Sequence, residues 1–178
     1  NFWYTDNEEK MPNLRLLALF AHPDDEAFPV GGLLARNVAE GRRVRLVTTT
    51  LGEEGEIRQE GSATKDTLGE VRRFELACAV RALRLESHAL LEYRDSGMAG
   101  WEANSHPRAY INAPDDVIVE RFVREIREFK PQVVLTFEPG GLYGHPDHIA
   151  VCKHATQAFD LASDPTAFPD QISGGLTP

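Results

Sequence analysis

The feature that most restricts the fold of this chain is the run LRLLALF at residues 14–20, which is apolar except for Arg15. A run of this length that is stopped by Ala-His-Pro is typical of a strand buried on both faces, as in parallel sheets. Residues 29–40 have the pattern of a helix, and the β-branched residues 43–51 have the pattern of a second strand. The sequence therefore predicts a βαβ unit with a right-handed crossover.

The rest of the chain continues this alternation. Residues 69–85 predict a helix with Val71, Phe74, Ala77 and Cys78 facing inward, and residues 117–129 predict another, capped by Asp115 or Asp116. Strands are predicted at 87–93 and 132–137, and a last helix at 149–161. We therefore expect an α/β, Rossmann-like three-layer fold with a mostly parallel sheet and an active site at the carboxyl ends of the strands. Residues 14–178 are expected to form one domain that lacks a C-terminal part, after an N-terminal extension at 1–13.

Composition excludes several classes of partner. The 178 residues include 28 acidic and 19 basic side chains, a net charge of −9 that disfavours nucleic acid and anionic membranes. No apolar run is long enough to span a bilayer. Two cysteines are too few for a disulfide framework, so we expect a cytoplasmic protein with a small-molecule substrate. A homo-oligomer is left open by the sequence.

Two histidine motifs each follow a predicted strand. AHPDDE occupies residues 21–26, and GHPDH occupies residues 144–148. Catalytic zinc usually has three protein ligands drawn from His, Asp and Glu and keeps one position open. His22 and Asp25 are close enough in sequence to reach one ion, and His148 from the second motif completes a His-Asp-His set. Because groups at the carboxyl ends of strands share one edge of the sheet, the two motifs predict a single metal site.

Each motif, taken alone, also has an explanation that involves no function. The run Asp24-Asp25-Glu26 is commonly a solvated acidic loop, and His-Pro-Asp-His is commonly a turn. A Rossmann-like module that binds Mg²⁺ or a nucleotide is an alternative for the pair. It is weakened because no GxGxxG follows the first strand, and because two histidines suit zinc better than magnesium. Iron(II) fits the same His-Asp-His set.

At these motifs the sequence resembles the PIG-L/LmbE-like family of zinc-dependent N-deacetylases. The resemblance covers most of the chain between Leu14 and His154, and the pairing of AHPDDE with GHPDH is specific. One departure is Arg84, where the family commonly has glycine. The further matching segments are Thr50–Glu53, Arg72-x-x-Glu75, Tyr93–Met98 and Tyr143–His148.

The resemblance implies a role for each matching residue. His22, Asp25 and His148 correspond to the zinc ligands, Asp24 to the general base, and His145 to an electrophilic, positively charged histidine with Asp147 as its orienting partner. Residues at substrate-contact positions are Arg72, Asp95 and Tyr143. The implied reaction removes the N-acetyl group of an N-acetylglucosamine-type glycoside, such as a mycothiol or bacillithiol precursor. An amidase that cleaves larger thiol-sugar conjugates is the alternative.

Overall fold

A four-stranded parallel sheet forms the centre of the computed structural model, which describes residues 13–178. The strands are β1 (Arg15–Phe20), β2 (Arg43–Thr50), β3 (Ser87–Tyr93) and β4 (Val133–Leu135). The helices are α1 (Gly31–Ala39), α2 (Leu68–Ala82), α3 (Asp115–Phe129), α4 (Gly141–Gly144), α5 (Pro146–Ala162) and α6 (Pro169–Ser173). Short 3-10 helices lie at Glu102–Ser105 and Tyr110–Asn112. The predicted α/β architecture is confirmed.

The sheet has the order β3-β2-β1-β4, so the chain reverses direction across the sheet between β1 and β4. β1 pairs with β2 on one side and with β4 on the other. Right-handed crossovers then place α1 and α2 on one face and α3 on the opposite face. In open sheets of this kind the crevice beside such a reversal is where ligands bind.

β1 is buried on both faces, as its apolar sequence predicts. Leu17, Ala18 and Leu19 have no exposed surface. Helix α3 also agrees with its predicted stripe, since Val119 and Phe122 are buried in the core. Among the described residues, the structure contains no helix with the length and apolar character needed to cross a bilayer. The expectation for residues 1–13 falls, except for Asn13, outside the described residues.

Helix α2 corrects one part of the sequence analysis. Phe74 and Ala77, expected to face inward, are exposed, with 67% of Phe74 accessible. The buried face carries Leu68, Gly69 and Leu76 instead. Apolar side chains occur on nearly every side of this helix, so periodicity could not identify the inner face.

Two helix starts also differ from expectation. The predicted capping role of Asp115 or Asp116 was wrong, because Pro114 precedes α3 and both carboxylates lie within its first turn. There they complement the partial positive charge of the helix end. Helix α5 begins at Pro146 rather than at residue 149, because proline suits the first helical position. This earlier start places Asp147 and His148 in the first turn of α5.

Candidate metal centre

The two histidine motifs meet at the carboxyl edge of the sheet, between β1 and β4. His22 follows β1, whereas His145 and His148 lie at the start of α5, after β4. His22 and His148 are 126 positions apart in sequence, yet His22 Nδ1 lies 3.0 Å from His148 Nε2. The imidazole centroids of His22 and His145 are 4.5 Å apart. Pairing of β1 with β4 thus brings the motifs together.

Three side-chain donors converge in an arrangement that could hold a metal ion. Asp25 Oδ2 lies 3.6 Å from His22 Nδ1, and Asp25 Oδ1 lies 3.4 Å from His148 Nε2. All three residues are buried. Ligand atoms around a tetrahedral zinc ion lie about 3.3 Å apart when the metal–nitrogen bonds are near 2 Å. Each pair distance is close to that value, with the two histidines facing different oxygens of Asp25. The structure therefore brings together the three residues that the sequence nominates as ligands.

Among the described residues, two overlapping groups of donors have all their ligand atoms within 4.8 Å of one another: His22 with His145 and His148, and His22 with Asp95 and Asp147. Asp25 belongs to neither group. The second group lies at Nε2 of His22, opposite the Nδ1 atom that faces His148. It supplies one nitrogen and two carboxylates. The Nδ1 side supplies two nitrogens and one carboxylate, which is the softer set and the better one for zinc.

Asp147 was expected to orient His145, but its carboxylate contacts His22. Its Oδ2 lies 3.1 Å from His22 Nε2 and accepts the backbone N–H of Ser96 at 3.0 Å. His145 instead receives the backbone N–H of Asp147 at its own Nδ1, at 3.2 Å. A carboxylate on the far nitrogen of a histidine ligand fixes its tautomer and orientation. The contact of Asp147 with Nε2 therefore orients the imidazole ring of His22.

Asp95, expected at a substrate-contact position, is buried against the histidines. Its Oδ1 lies 3.5 Å from His22 Nε2 and 3.8 Å from His145 Nε2. Backbone N–H groups of Glu54 and Gly97 donate to its two oxygens. These contacts and that of Ser96 could not be predicted from the sequence, because any residue type can supply a backbone N–H donor.

Arg72 and Tyr143 stand on the open side of the site. Arg72 donates from Nη1 to the carbonyl of Gly52 at 2.8 Å and from Nη2 to Asp24 Oδ2 at 2.7 Å. A Cβ at Gly52 would fall 1.9 Å from Arg72 Nη1, so glycine is needed for this approach. Tyr143 is 64% exposed, and its ring centroid lies 5.2 Å from that of His148. Of the three expected substrate contacts, Tyr143 is the most accessible.

Burial and mutual charge shift the pKa values of Asp25 and of the three histidines of the cluster. Burial raises the pKa of Asp25 to about 6, against the opposing influence of His22. Burial lowers the pKa of His22, but hydrogen bonds to Asp147 and Asp95 outweigh it and raise this pKa well above the usual value. Burial and the positive charge of His22 lower the pKa of His148 to about 3 and also lower that of His145. Among the three histidines of the cluster, His22 is thus the one whose surroundings favour the protonated form.

The affinity of the proposed site for zinc is expected to fall by about tenfold or more for each pH unit below about pH 6. The raised pKa of Asp25 means that the folded chain binds a proton more tightly than a free aspartate does. Acid therefore favours the proton over the metal, and displacing a proton from His22 adds to the slope. Competition with a chromogenic zinc chelator between about pH 5 and about pH 8 measures it. An affinity that stays constant below about pH 6 would contradict this ligand set.

A model of the PIG-L family, described as GlcNAc-PI de-N-acetylase, matches residues 17–159 of the chain. The chain belongs to the PIG-L family. The match includes both histidine motifs and all nine nominated site residues. The cluster between β1 and β4 is thus part of a PIG-L domain.

Relatives agree with this membership. A curated protein of Streptomyces scabiei, named 1D-myo-inositol 2-acetamido-2-deoxy-alpha-D-glucopyranoside deacetylase, is 47% identical over 165 residues, 88% of this chain and 51% of the relative. The chain spans about half the length of the curated relatives it matches.

Solved structures support the PIG-L fold. The N,N'-diacetylchitobiose deacetylase of Pyrococcus horikoshii has a TM-score of 0.75 at 23% identity, over 92% of this chain and 56% of that one. The 4-carboxy-2-hydroxymuconate hydratase GalB of Pseudomonas putida has a TM-score of 0.68 at 22% identity, over 86% and 59%. Since a deacetylase and a hydratase share the fold, the site residues must decide the reaction.

Proposed function

We propose that this chain carries the catalytic centre of a zinc-dependent hydrolase that removes the N-acetyl group of an N-acetylglucosamine-type glycoside. The observation that carries the proposal is the convergence of His22, Asp25 and His148 beside an accessible carboxylate, Asp24. The 47% identity to a relative named as an acetamido-glucopyranoside inositol deacetylase supports the substrate class.

The donor set of two imidazoles and one carboxylate fits zinc, held by His22, Asp25 and His148. When bound, zinc would supply Lewis acidity for the amide carbonyl and a lowered pKa for water, two effects that favour amide hydrolysis. Iron(II) fits the same donors. Magnesium fits less well, because it prefers oxygen ligands.

Asp24 is the proposed general base. Its side chain is 67% accessible, whereas that of the adjacent Asp25 is 8% accessible and faces the histidines. Arg72 contacts Asp24 Oδ2 and holds the carboxylate at the mouth of the site. A carboxylate so placed can accept a proton from the attacking water and deliver it to the departing nitrogen.

His145 is the proposed oxyanion donor. Because its Nδ1 accepts the Asp147 backbone N–H, the neutral imidazole carries its proton on Nε2. That N–H can donate to the oxygen that gains charge when the amide is attacked. A neutral imidazole suits the lowered pKa of His145, whereas the family resemblance implies a positively charged one.

Substrate contacts follow from accessibility. We propose that the exposed ring of Tyr143 contacts the sugar, whereas buried Asp95 acts on the histidines. Arg72 would reach a sugar only by releasing Asp24. An uncharged glycoside of the thiol-cofactor pathways, handled in the cytoplasm, suits the net charge of −9 and the two free cysteines.

The test is acetate release by the purified protein from N-acetylglucosaminyl inositol, N-acetylglucosaminyl malate and an N-acetylglucosaminyl lipid, each with and without chelator. We expect release from a soluble glycoside, loss of release with chelator, and recovery with zinc. Cleavage of a bulky acyl conjugate in preference to acetate would indicate the amidase instead. Release that is insensitive to chelator, or metal-free protein that binds nucleotides, would overturn the proposal.

A further inference from the structure

The three consecutive carboxylates at residues 24–26 have three different surroundings. Asp25 faces the histidines and also accepts the backbone N–H of His22 at Oδ2, at 2.7 Å. Glu26 is 1% exposed, and its Oε2 accepts the backbone N–H of Asp24 at 3.1 Å. Only the Asp24 carboxylate points outward, toward Arg72. Two of the three acidic groups therefore hold the backbone of the turn that presents the third.

Asp24 lies in a backbone conformation that disfavours a side chain. Its φ is +107°, a region that glycine enters readily and that other residues adopt only when their surroundings enforce it. On the C-terminal side, the carbonyl of Asp24 accepts N–H groups from Ala27 and Phe28 at 2.9 and 2.8 Å. On the N-terminal side, the N–H of Asp24 is bound by Glu26. The carboxylate of Glu26 thus holds one end of a strained turn.

We propose that Glu26 is a positioning residue that fixes the Asp24 carboxylate in its working place at the metal centre. The Glu26 carboxylate contacts the backbone N–H of Asp24 and is buried beneath the turn, with 1% of the residue exposed. Without an acceptor for its N–H, Asp24 relaxes toward negative φ, and this rotation displaces its side chain. The kinetic consequences rest on the proposed function, in which Asp24 is the general base.

Two substitutions distinguish the hydrogen-bond acceptor of Glu26 from the space that its side chain fills. Glu26→Gln keeps a carbonyl oxygen at the same reach, whereas Glu26→Met has similar length and no strong acceptor. We expect Glu26→Met to lower kcat on the order of 100-fold, the effect of a misplaced catalytic group, with KM and zinc content retained. Glu26→Gln should restore kcat to within about tenfold of the unaltered protein, because a neutral acceptor still binds the N–H.

The kinetic result can contradict the proposal in two ways. Unaltered kcat in Glu26→Met would show that Asp24 needs no help from Glu26. Equal losses of kcat in Glu26→Gln and Glu26→Met would show that the charge of Glu26, not its hydrogen bond to Asp24, is what matters.

Thermal unfolding tests the same contact without any substrate. Glu26→Met is expected to lower Tm less in the unaltered protein than in the Asp24→Gly background. Relaxation of Asp24 from positive φ offsets part of the lost hydrogen bond, whereas glycine has no strain to release. Equal Tm losses in the two backgrounds would overturn the role of Glu26, as would failure of both variants to fold. Absence of acetate release by the unaltered protein would count against the proposed function alone, since the unfolding comparison does not depend on it.

Discussion

Replacing Asp24 with asparagine is expected to lower acetate release by about 100- to 10,000-fold while the protein keeps its metal. Asparagine has the same shape and can still accept a hydrogen bond from Arg72, but its amide cannot take a proton at neutral pH. The proposed metal donors are the neighbouring Asp25 and two histidines, so the substitution changes none of them. Acetate release and zinc content, measured on the same preparation, separate the two effects.

The matched control for Asp24→Asn is Asp170→Asn. Asp170 is exposed in helix α6, whose residue Gln171 contacts Arg127 near the C-terminal ends of α3 and α5, away from the histidines. The Asp170→Asn variant should release acetate at the rate of the unaltered protein. If Asp24→Asn also turned over normally, the general base would have to be another group. If Asp24→Asn lost zinc, Asp24 would belong to the metal ligands.

The sequence predicted the framework because the framework depends on side-chain character along the chain. The apolar run before His22 identified a strand buried on both faces, and the structure buries Leu17 and Leu19 completely. Once β1 and β4 are neighbours, the two His-Pro-Asp motifs must lie at one edge. The meeting of His22 and His148 therefore follows from topology and could be foreseen.

What the sequence could not predict depends on backbone groups and helix ends. Asp147 was placed beside His145, yet the early start of α5 turns its carboxylate toward His22, where Ser96 N–H holds it. The distinct surroundings of Asp25 and Glu26 likewise depend on which backbone N–H each one accepts. Such contacts are set by the local path of the chain, which residue types alone do not encode.

The carboxylates behind the histidines also explain why the pKa of His22 is raised while those of His145 and His148 are lowered. Asp147 and Asp95 both approach its Nε2, at 3.1 and 3.5 Å, and stabilise a proton there. Burial raises the pKa of Asp95, but the hydrogen bond and charge of His22 reverse this and hold the pKa well below its usual value. If His22 held a metal ion, its contact with Asp147 at Nε2 would keep the imidazole ring oriented.

Replacing His148 with alanine is expected to remove metal and activity together. The substitution takes away one of the two nitrogen donors, and the remaining His22 and Asp25 leave two ligands where catalytic zinc normally has three. Acetate release should then fall to the level seen with chelator, and added zinc should restore little of it. Zinc content by elemental analysis and acetate release at increasing zinc concentration provide the measurement.

His154→Ala is the matched control, because His154 is also a buried histidine of α5. Its Nδ1 lies 2.8 Å from the Tyr110 hydroxyl and its Nε2 lies 2.9 Å from Asp115 Oδ1, so its partners are outside the proposed ligand set. We expect His154→Ala to be less stable to heat, since it leaves the buried Tyr110 hydroxyl without this partner, yet to bind zinc normally when folded. Equal zinc loss in both variants would mean that His148 acts through the packing of α5 and not as a ligand. Zinc loss confined to His148→Ala would assign the metal to the edge between β1 and β4, as the distances among His22, Asp25 and His148 require.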